Sequence, residues 1–160
     1  MEIDFPTLLH QASVAYQLNP KLLLALMEAE QNALSQCPNA TSLSSLMGLD
    51  PPSTAREQIT TAAGMIANAI NTFADAGVTP NGWKTGISQV TLDGVTVIPA
   101  TDAITILFDH TPYAGTLWGG NDLDEGGVQA IYDAFFDFGL SAPLPTEIFT
   151  LYLPILKQGQ

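Results

Sequence analysis

The stretch from Thr54 to Gly77 constrains the fold most, because it contains the start, the apolar face and the end of one long helix. Thr54 and Glu57 stand three residues apart, as in a capping box where each side chain binds the other residue's backbone N–H. Gly77 can end the helix in the left-handed conformation. A long amphipathic helix is therefore predicted, with a buried face formed by Ile59, Ala62, Ala63, Ile66, Ile70 and Phe73.

Similar signals predict four more helices. Asn19 followed by Pro20 is the clearest start, because asparagine can cap free amides and proline is tolerated at the first helical position. Asp4 is placed to cap the first helix, and Gly139 to end the last one. The predicted helices cover about residues 6–18, 19–34, 101–110 and 122–138.

One stretch has a strand pattern. Alternating apolar residues flank Asp93-Gly94, which is the signature of a hairpin with a two-residue turn. Residues 35–52 are rich in Ser, Asn, Pro and Gly and are predicted to form a loop, and residues 139–160 to pack against the body. We therefore expect a single, mostly α domain over residues 1–160 with one small β-hairpin. The strand residues are Val90, Leu92, Val95 and Val97.

Composition narrows the function classes. Sixteen Asp plus Glu against four Lys plus Arg give a formal net charge of −12. This charge repels phosphate backbones and anionic lipid, so no nucleic-acid partner is expected.

Cys37 is the only cysteine, which excludes an intrachain disulfide and a cysteine-based zinc cluster. No apolar run reaches the roughly 18 residues of a membrane span, and the chain as given has no signal-peptide pattern. A trimmed secreted protein, or a module of a longer one, would look the same, and the oligomeric state stays open.

Glu30 lies in the apolar stripe of the second helix. At about 100° per residue, it falls within roughly 60° of Leu23 and Leu26. Glu28 is displaced by about 160° and is predicted to be an ordinary solvated carboxylate. Because burial disfavours the charged form, the pKa of Glu30 is predicted to rise, as a general acid requires. The alternative is a glutamate at the rim of the stripe that reaches solvent through its flexible stem.

The order of several short motifs resembles that of the goose-type lysozyme and lytic transglycosylase superfamily. Residues 19–31 are similar to the pattern N-P-K-x-L-L-x-x-L-x-x-E-Q of one branch, with Glu30 at the place of the catalytic glutamate. Residues 45–55 resemble a degenerate G-L-M-Q-x-x-P-x-T-A loop that lacks the glutamine. Residues 83–86 and 93–100 look like that branch's W-x-T-G and D-G-V-x-V-x-P-A-x-x-A motifs, and His110-Thr111-Pro112-Tyr113 looks like its Y-T-P-Y. The resemblance covers residues 12–138.

This resemblance implies a lysozyme-like helical fold and an enzyme of the bacterial cell wall. Its substrate would be peptidoglycan, cleaved at the β-1,4 bond between N-acetylmuramic acid and N-acetylglucosamine with Glu30 as general acid/base. A lytic transglycosylase would use the sugar's own 6-hydroxyl as nucleophile, and a lysozyme would use water. No cofactor is implied, and the location would be extracytoplasmic or secreted. The substrate-binding candidates are Met47, Gly48, Asp50, Asp109 and Tyr113.

Several alternatives accompany this reading. Hydrolysis usually needs a second carboxylate, for which Asp50, Asp93 and Asp109 are candidates, although each also fits a structural place in a turn or at a helix end. His10 and His110 lie too far apart for a helical zinc pair, so no metal site is expected. Two other functions remain open: a non-catalytic polysaccharide-binding module on the same fold, and a chitin-type glycoside hydrolase.

Overall fold

A computed structural model of the chain describes residues 4–36, 39–114 and 127–136. Over these residues the protein is mostly helical and has one two-stranded antiparallel sheet, which confirms the predicted fold class. The predicted segment 139–160 and both ends of the last predicted helix, 122–138, lie outside the described residues. The elements are α1 (Phe5–Tyr16), α2 (Pro20–Gln31), α3 (Ala40–Ser44), α4 (Ala55–Ala76), β1 (Gln89–Val90), β2 (Thr96–Val97), α5 (Asp102–His110) and α6 (Val128–Phe136).

The predicted caps at Asp4, Asn19, Thr54 and Gly77 are confirmed, while Gly139 lies outside the described residues. The Asp4 carboxylate accepts the Thr7 N–H at 3.0 Å, and Asn19 Oδ1 accepts the Lys21 N–H at 2.9 Å. The capping box that opens α4 is complete, and the glycine that ends this helix has φ 67°. Local side-chain chemistry therefore sets where these helices begin and end.

Two boundaries differ from the prediction. Helix α2 ends at Gln31 rather than near residue 34, because Asn32 adopts the left-handed conformation with φ 52° and turns the chain. The predicted loop 35–52 contains the short helix α3, whose cap is Asn39. The Asn39 side chain accepts the backbone N–H groups of both Thr41 and Ser42.

The hairpin is present, but its turn is longer than predicted. Gln89 pairs with Val97 and Val90 with Thr96. The Thr91 N–H then donates to the Val95 carbonyl at 2.9 Å, which leaves a three-residue connection. A two-residue type I′ turn would need a positive φ at both central residues, whereas in this connection only Gly94 has one, at 80°.

The core is centred on α2, which packs against α6, while α4 packs against α1 and α5. Both faces of α5 are covered, and the Trp83 ring stacks on Phe108 with 4.8 Å between ring centroids. The predicted face of α4 is confirmed: its first four members are buried, and Ile70 and Phe73 pack against the core at its edge. Among the described residues, no helix has the length and apolarity needed to cross a membrane. The buried α2 residues are Leu22, Leu23, Ala25, Leu26, Met27 and Glu28.

Candidate active site

Glu30 lies in the last turn of α2 and is partly buried, where the chain enters the turn that follows the helix. Loss of hydration on burial raises the pKa of Glu30 above its ordinary value, and a side-chain hydrogen bond from Thr111 opposes that rise. Thr111 follows directly after α5 and is itself buried. The prediction of a raised pKa for Glu30 is therefore confirmed, and the carboxyl group can hold a proton at a higher pH than an exposed glutamate.

Gly48 forms the wall in front of this carboxyl group. A Cβ atom at position 48 would lie 2.5 Å from Glu30 Oε2 and 2.7 Å from its Cδ, distances that real contacts do not allow. Gly48 also has φ 70°, a conformation that favours glycine. Only glycine lets the backbone lie this close to Glu30, so two residues named as candidates from the sequence are brought together.

The segment after α5 supplies the third part of the site. It is held by the hairpin: the Leu92 N–H donates to the Pro112 carbonyl at 2.8 Å, and the Ala114 N–H donates to Asp93 Oδ1 at 3.1 Å. Sequence reasoning did not single out Thr111, although it lies inside the His110–Tyr113 motif. A small hydroxyl residue between two motif positions gives no signal of its own.

Two of the three candidates for a second carboxylate, Asp93 and Asp109, bind backbone groups in this structure. Asp109 is buried and accepts the Asn81 N–H at 2.8 Å, while the Asn81 side chain donates to the Asp109 carbonyl at 3.1 Å. Asp93 anchors the segment at Ala114. Asp50 is exposed and is joined to Pro51 by a cis peptide bond. Asp93 and Asp109 thus hold backbone groups in place.

The remaining substrate-binding candidates differ in exposure. The Met47 side chain is 1% exposed and belongs to the core, so the expectation that it contacts a substrate is wrong for the side chain. Tyr113 is 44% exposed, so its side chain is not buried in the core. Gly48 is exposed.

The expectation for Glu28 is also wrong. Its side chain is 6% exposed, and Oε2 accepts the N–H of Leu34 at 2.6 Å and of Ser35 at 3.1 Å. Burial alone would raise the pKa of Glu28, but hydrogen bonds from the Ser35 side chain and from these two N–H groups outweigh it and lower the pKa. Periodicity placed Glu28 on an open face because it could not show that the turn after α2 folds back over this face.

His110, the last residue of α5, has two buried ring nitrogens without a hydrogen-bond partner among the described residues. Burial lowers the pKa of His110 to about 4, and the nearby charge of Asp109 opposes this shift only in part. The imidazole is therefore neutral at neutral pH.

A cavity of about 420 Å³ lies between the hairpin and α5. Both polar and apolar side chains line it. Among the residues that the structure describes, no three His, Cys, Asp or Glu side chains are grouped as a metal site would require. The cavity is lined by Asn81, Trp83, Gln89, Val90, Leu92, Asp109 and Pro112.

The fold and the site define a mostly helical domain in which a partly buried carboxylic acid at the end of a core helix faces a glycine wall. A family model described as LasA, N-terminal domain, matches residues 4–143. The chain belongs to this family. No curated protein and no solved structure matches it significantly. The family match does not by itself support membership of the lysozyme and lytic transglycosylase superfamily, and the resemblance to those enzymes stays a hypothesis.

Proposed function

We propose that this domain cleaves the glycan strands of peptidoglycan, with Glu30 as its general acid/base. The observation that carries the proposal is the contrast between two glutamates on one helix. Donors from the following turn satisfy Glu28 and lower its pKa, whereas Glu30 is desolvated and its pKa is raised. A carboxyl group that keeps its proton near working pH can protonate a glycosidic oxygen.

In this proposal the Glu30 proton passes to the oxygen that links N-acetylmuramic acid to N-acetylglucosamine, and the bond from that oxygen to the anomeric carbon breaks. The resulting cation is attacked by the 6-hydroxyl of the same sugar. Glu30, now a carboxylate, takes the hydroxyl proton and is restored. We favour this intramolecular route over attack by water, because two of the three candidates for a second carboxylate, Asp93 and Asp109, already accept backbone N–H groups.

A second candidate function is a non-catalytic module that binds polysaccharide. The family is described as an N-terminal domain, which is the position of an accessory part within a longer protein. In that case the exposed Tyr113 and the cavity beside the hairpin would be the contact surface. An extracytoplasmic location is part of both proposals.

Digestion of purified peptidoglycan tests the proposal, with the released fragments analysed by mass spectrometry. Glu30→Gln keeps the shape of the side chain and is expected to lower the release of fragments at least about a hundredfold, the scale of a lost general acid. Asp75→Asn is the matched control, since it removes one negative charge at an exposed position of α4 and should leave the release unchanged.

The products separate the possible outcomes. Anhydro ends that depend on Glu30 would identify a lytic transglycosylase, and reducing ends that depend on it a lysozyme. Equal activity in wild type and Glu30→Gln would refute the role of Glu30. Binding to peptidoglycan or chitin without any release would favour the binding module.

A further inference from the structure

Gln58 is a buried polar residue in the first turn of α4, and all of its amide atoms are in use. Its side chain is 1% exposed. Oε1 accepts the N–H groups of Met47 and Leu49, both at 3.2 Å. Nε2 donates to the Leu49 carbonyl at 3.0 Å and to Ser53 Oγ at 3.3 Å. One amide therefore binds the loop between α3 and α4 at three residues.

The two N–H groups bound by Oε1 belong to the residues on either side of Gly48. Gly48 is the residue whose backbone lies against the Glu30 carboxyl group. We infer that Gln58 is a positioning residue, which fixes the backbone at Gly48 and thereby keeps Glu30 enclosed without touching it. The importance of Gln58 for catalysis rests on the proposed function, in which Glu30 is the acid. The effect of Gln58 on the surroundings of Glu30 is independent of that function.

The chemistry of the amide explains why glutamine suits this position. The loop offers two N–H donors together with a carbonyl and a hydroxyl acceptor, so its partner must both accept and donate. A glutamate would lack the donor, and an apolar residue would lack both functions. Met47, whose side chain is in the core, and Gln58 hold this loop from inside, which leaves Gly48 little freedom to withdraw from Glu30.

Gln58→Met tests the inference, because methionine has a similar length and removes all four hydrogen bonds. We expect the loop to loosen, water to reach Glu30, and the pKa of Glu30 to fall toward its ordinary value of 4.5. The measurement is a pH titration of the Glu30 carboxyl carbon by NMR, assigned with Glu30→Gln. Ile66→Val is the control, since it lies about two turns further along the buried face of α4 and weakens packing there.

A purely structural role would lower the stability of both variants and leave the Glu30 titration unchanged in both, which would overturn the inference. If Gln58→Met does not fold, Ser53→Ala removes a single bond of the set and should shift the titration in the same direction by less. An unchanged titration in folded Ser53→Ala would then overturn the inference.

The readout also separates this inference from the proposed function. The titration needs no substrate, so a wild type that cleaves nothing would refute the proposed function and leave this test intact. If the wild type is active, the alkaline limb of its kcat/KM profile should move to lower pH in Gln58→Met and stay in place in Ile66→Val.

Discussion

At the scale of single residues, the surroundings of a carboxyl group rather than its place on a helical wheel decide its chemistry. Glu28 and Glu30 are both removed from solvent, yet only Glu28 receives two backbone N–H groups. Those donors stabilise the charged form at Glu28, whereas burial favours the protonated form at Glu30. The same helix therefore carries one structural carboxylate and one candidate acid.

Glu28→Ala should destabilise the fold, because it leaves the N–H groups of Leu34 and Ser35 without their acceptor. Each buried N–H group that loses its acceptor costs about 1–3 kcal/mol of stability. Urea denaturation monitored by circular dichroism measures the loss in the free energy of unfolding. Asp75→Ala, an exposed change on α4, serves as the control, and equal midpoints for the two variants would contradict the structural role of Glu28.

His110→Leu should raise the free energy of unfolding at neutral pH by about 1 kcal/mol, since it removes two buried nitrogens that have no hydrogen-bond partner within the described part of the chain. The pKa of His110 is about 4 in the folded protein and 6.5 ordinarily, so below pH 6.5 the unfolded chain binds the proton more readily. Wild-type stability is then lost as pH falls from 6.5 toward 4, by an amount on the order of 3 kcal/mol.

The variant lacks this dependence, so its advantage over the wild type should grow as the pH is lowered through that window. Thermal or urea unfolding at several pH values measures the difference between the two proteins. The raised pKa of Glu30 acts in the opposite direction, but it is shared by both proteins and cancels in the comparison. An advantage that stays constant with pH would show that His110 has a partner or is hydrated.

At the scale of elements, the hairpin serves as a support for the segment that follows α5. Its turn binds that segment through the Leu92 N–H and the Asp93 carboxylate. Thr111, which bonds to Glu30, lies at the start of the same segment. The hairpin thus supports the segment that contains Thr111.

Asp93→Ala should speed the hydrogen exchange of the Ala114 amide roughly fivefold, which corresponds to about 1 kcal/mol for one lost hydrogen bond. NMR-detected exchange under native conditions measures it. Asp93→Asn retains an oxygen acceptor at the same place and should retain most of the protection. Equal exchange rates in wild type and Asp93→Ala would mean that the segment after α5 keeps its conformation without the Asp93 carboxylate.

At the scale of the whole molecule, the sequence predicted those features that depend on neighbours along the chain. Caps such as Asn19, the complete box at Thr54 and the apolar stripe of α4 follow from local spacing. The enclosure of Glu30 could not be predicted in the same way, because it depends on Gly48, Gln58 and Thr111, which come from distant parts of the chain. The prediction for Glu28 was wrong for the same reason. The turn that covers Glu28 begins at Asn32, and helical periodicity does not reveal that Asn32 adopts the left-handed conformation.

The glycine wall has a consequence for how this family can diverge. Inheritance of the glutamate is not enough to keep the acid, since any side chain at position 48 would displace the carboxyl group from its enclosure. If Glu30 has the proposed role, one codon change at position 48 would be enough to end the activity while Glu30 itself is kept. Family members with glutamate at position 30 but no glycine at position 48 are therefore expected to lack this enclosure of the carboxyl group.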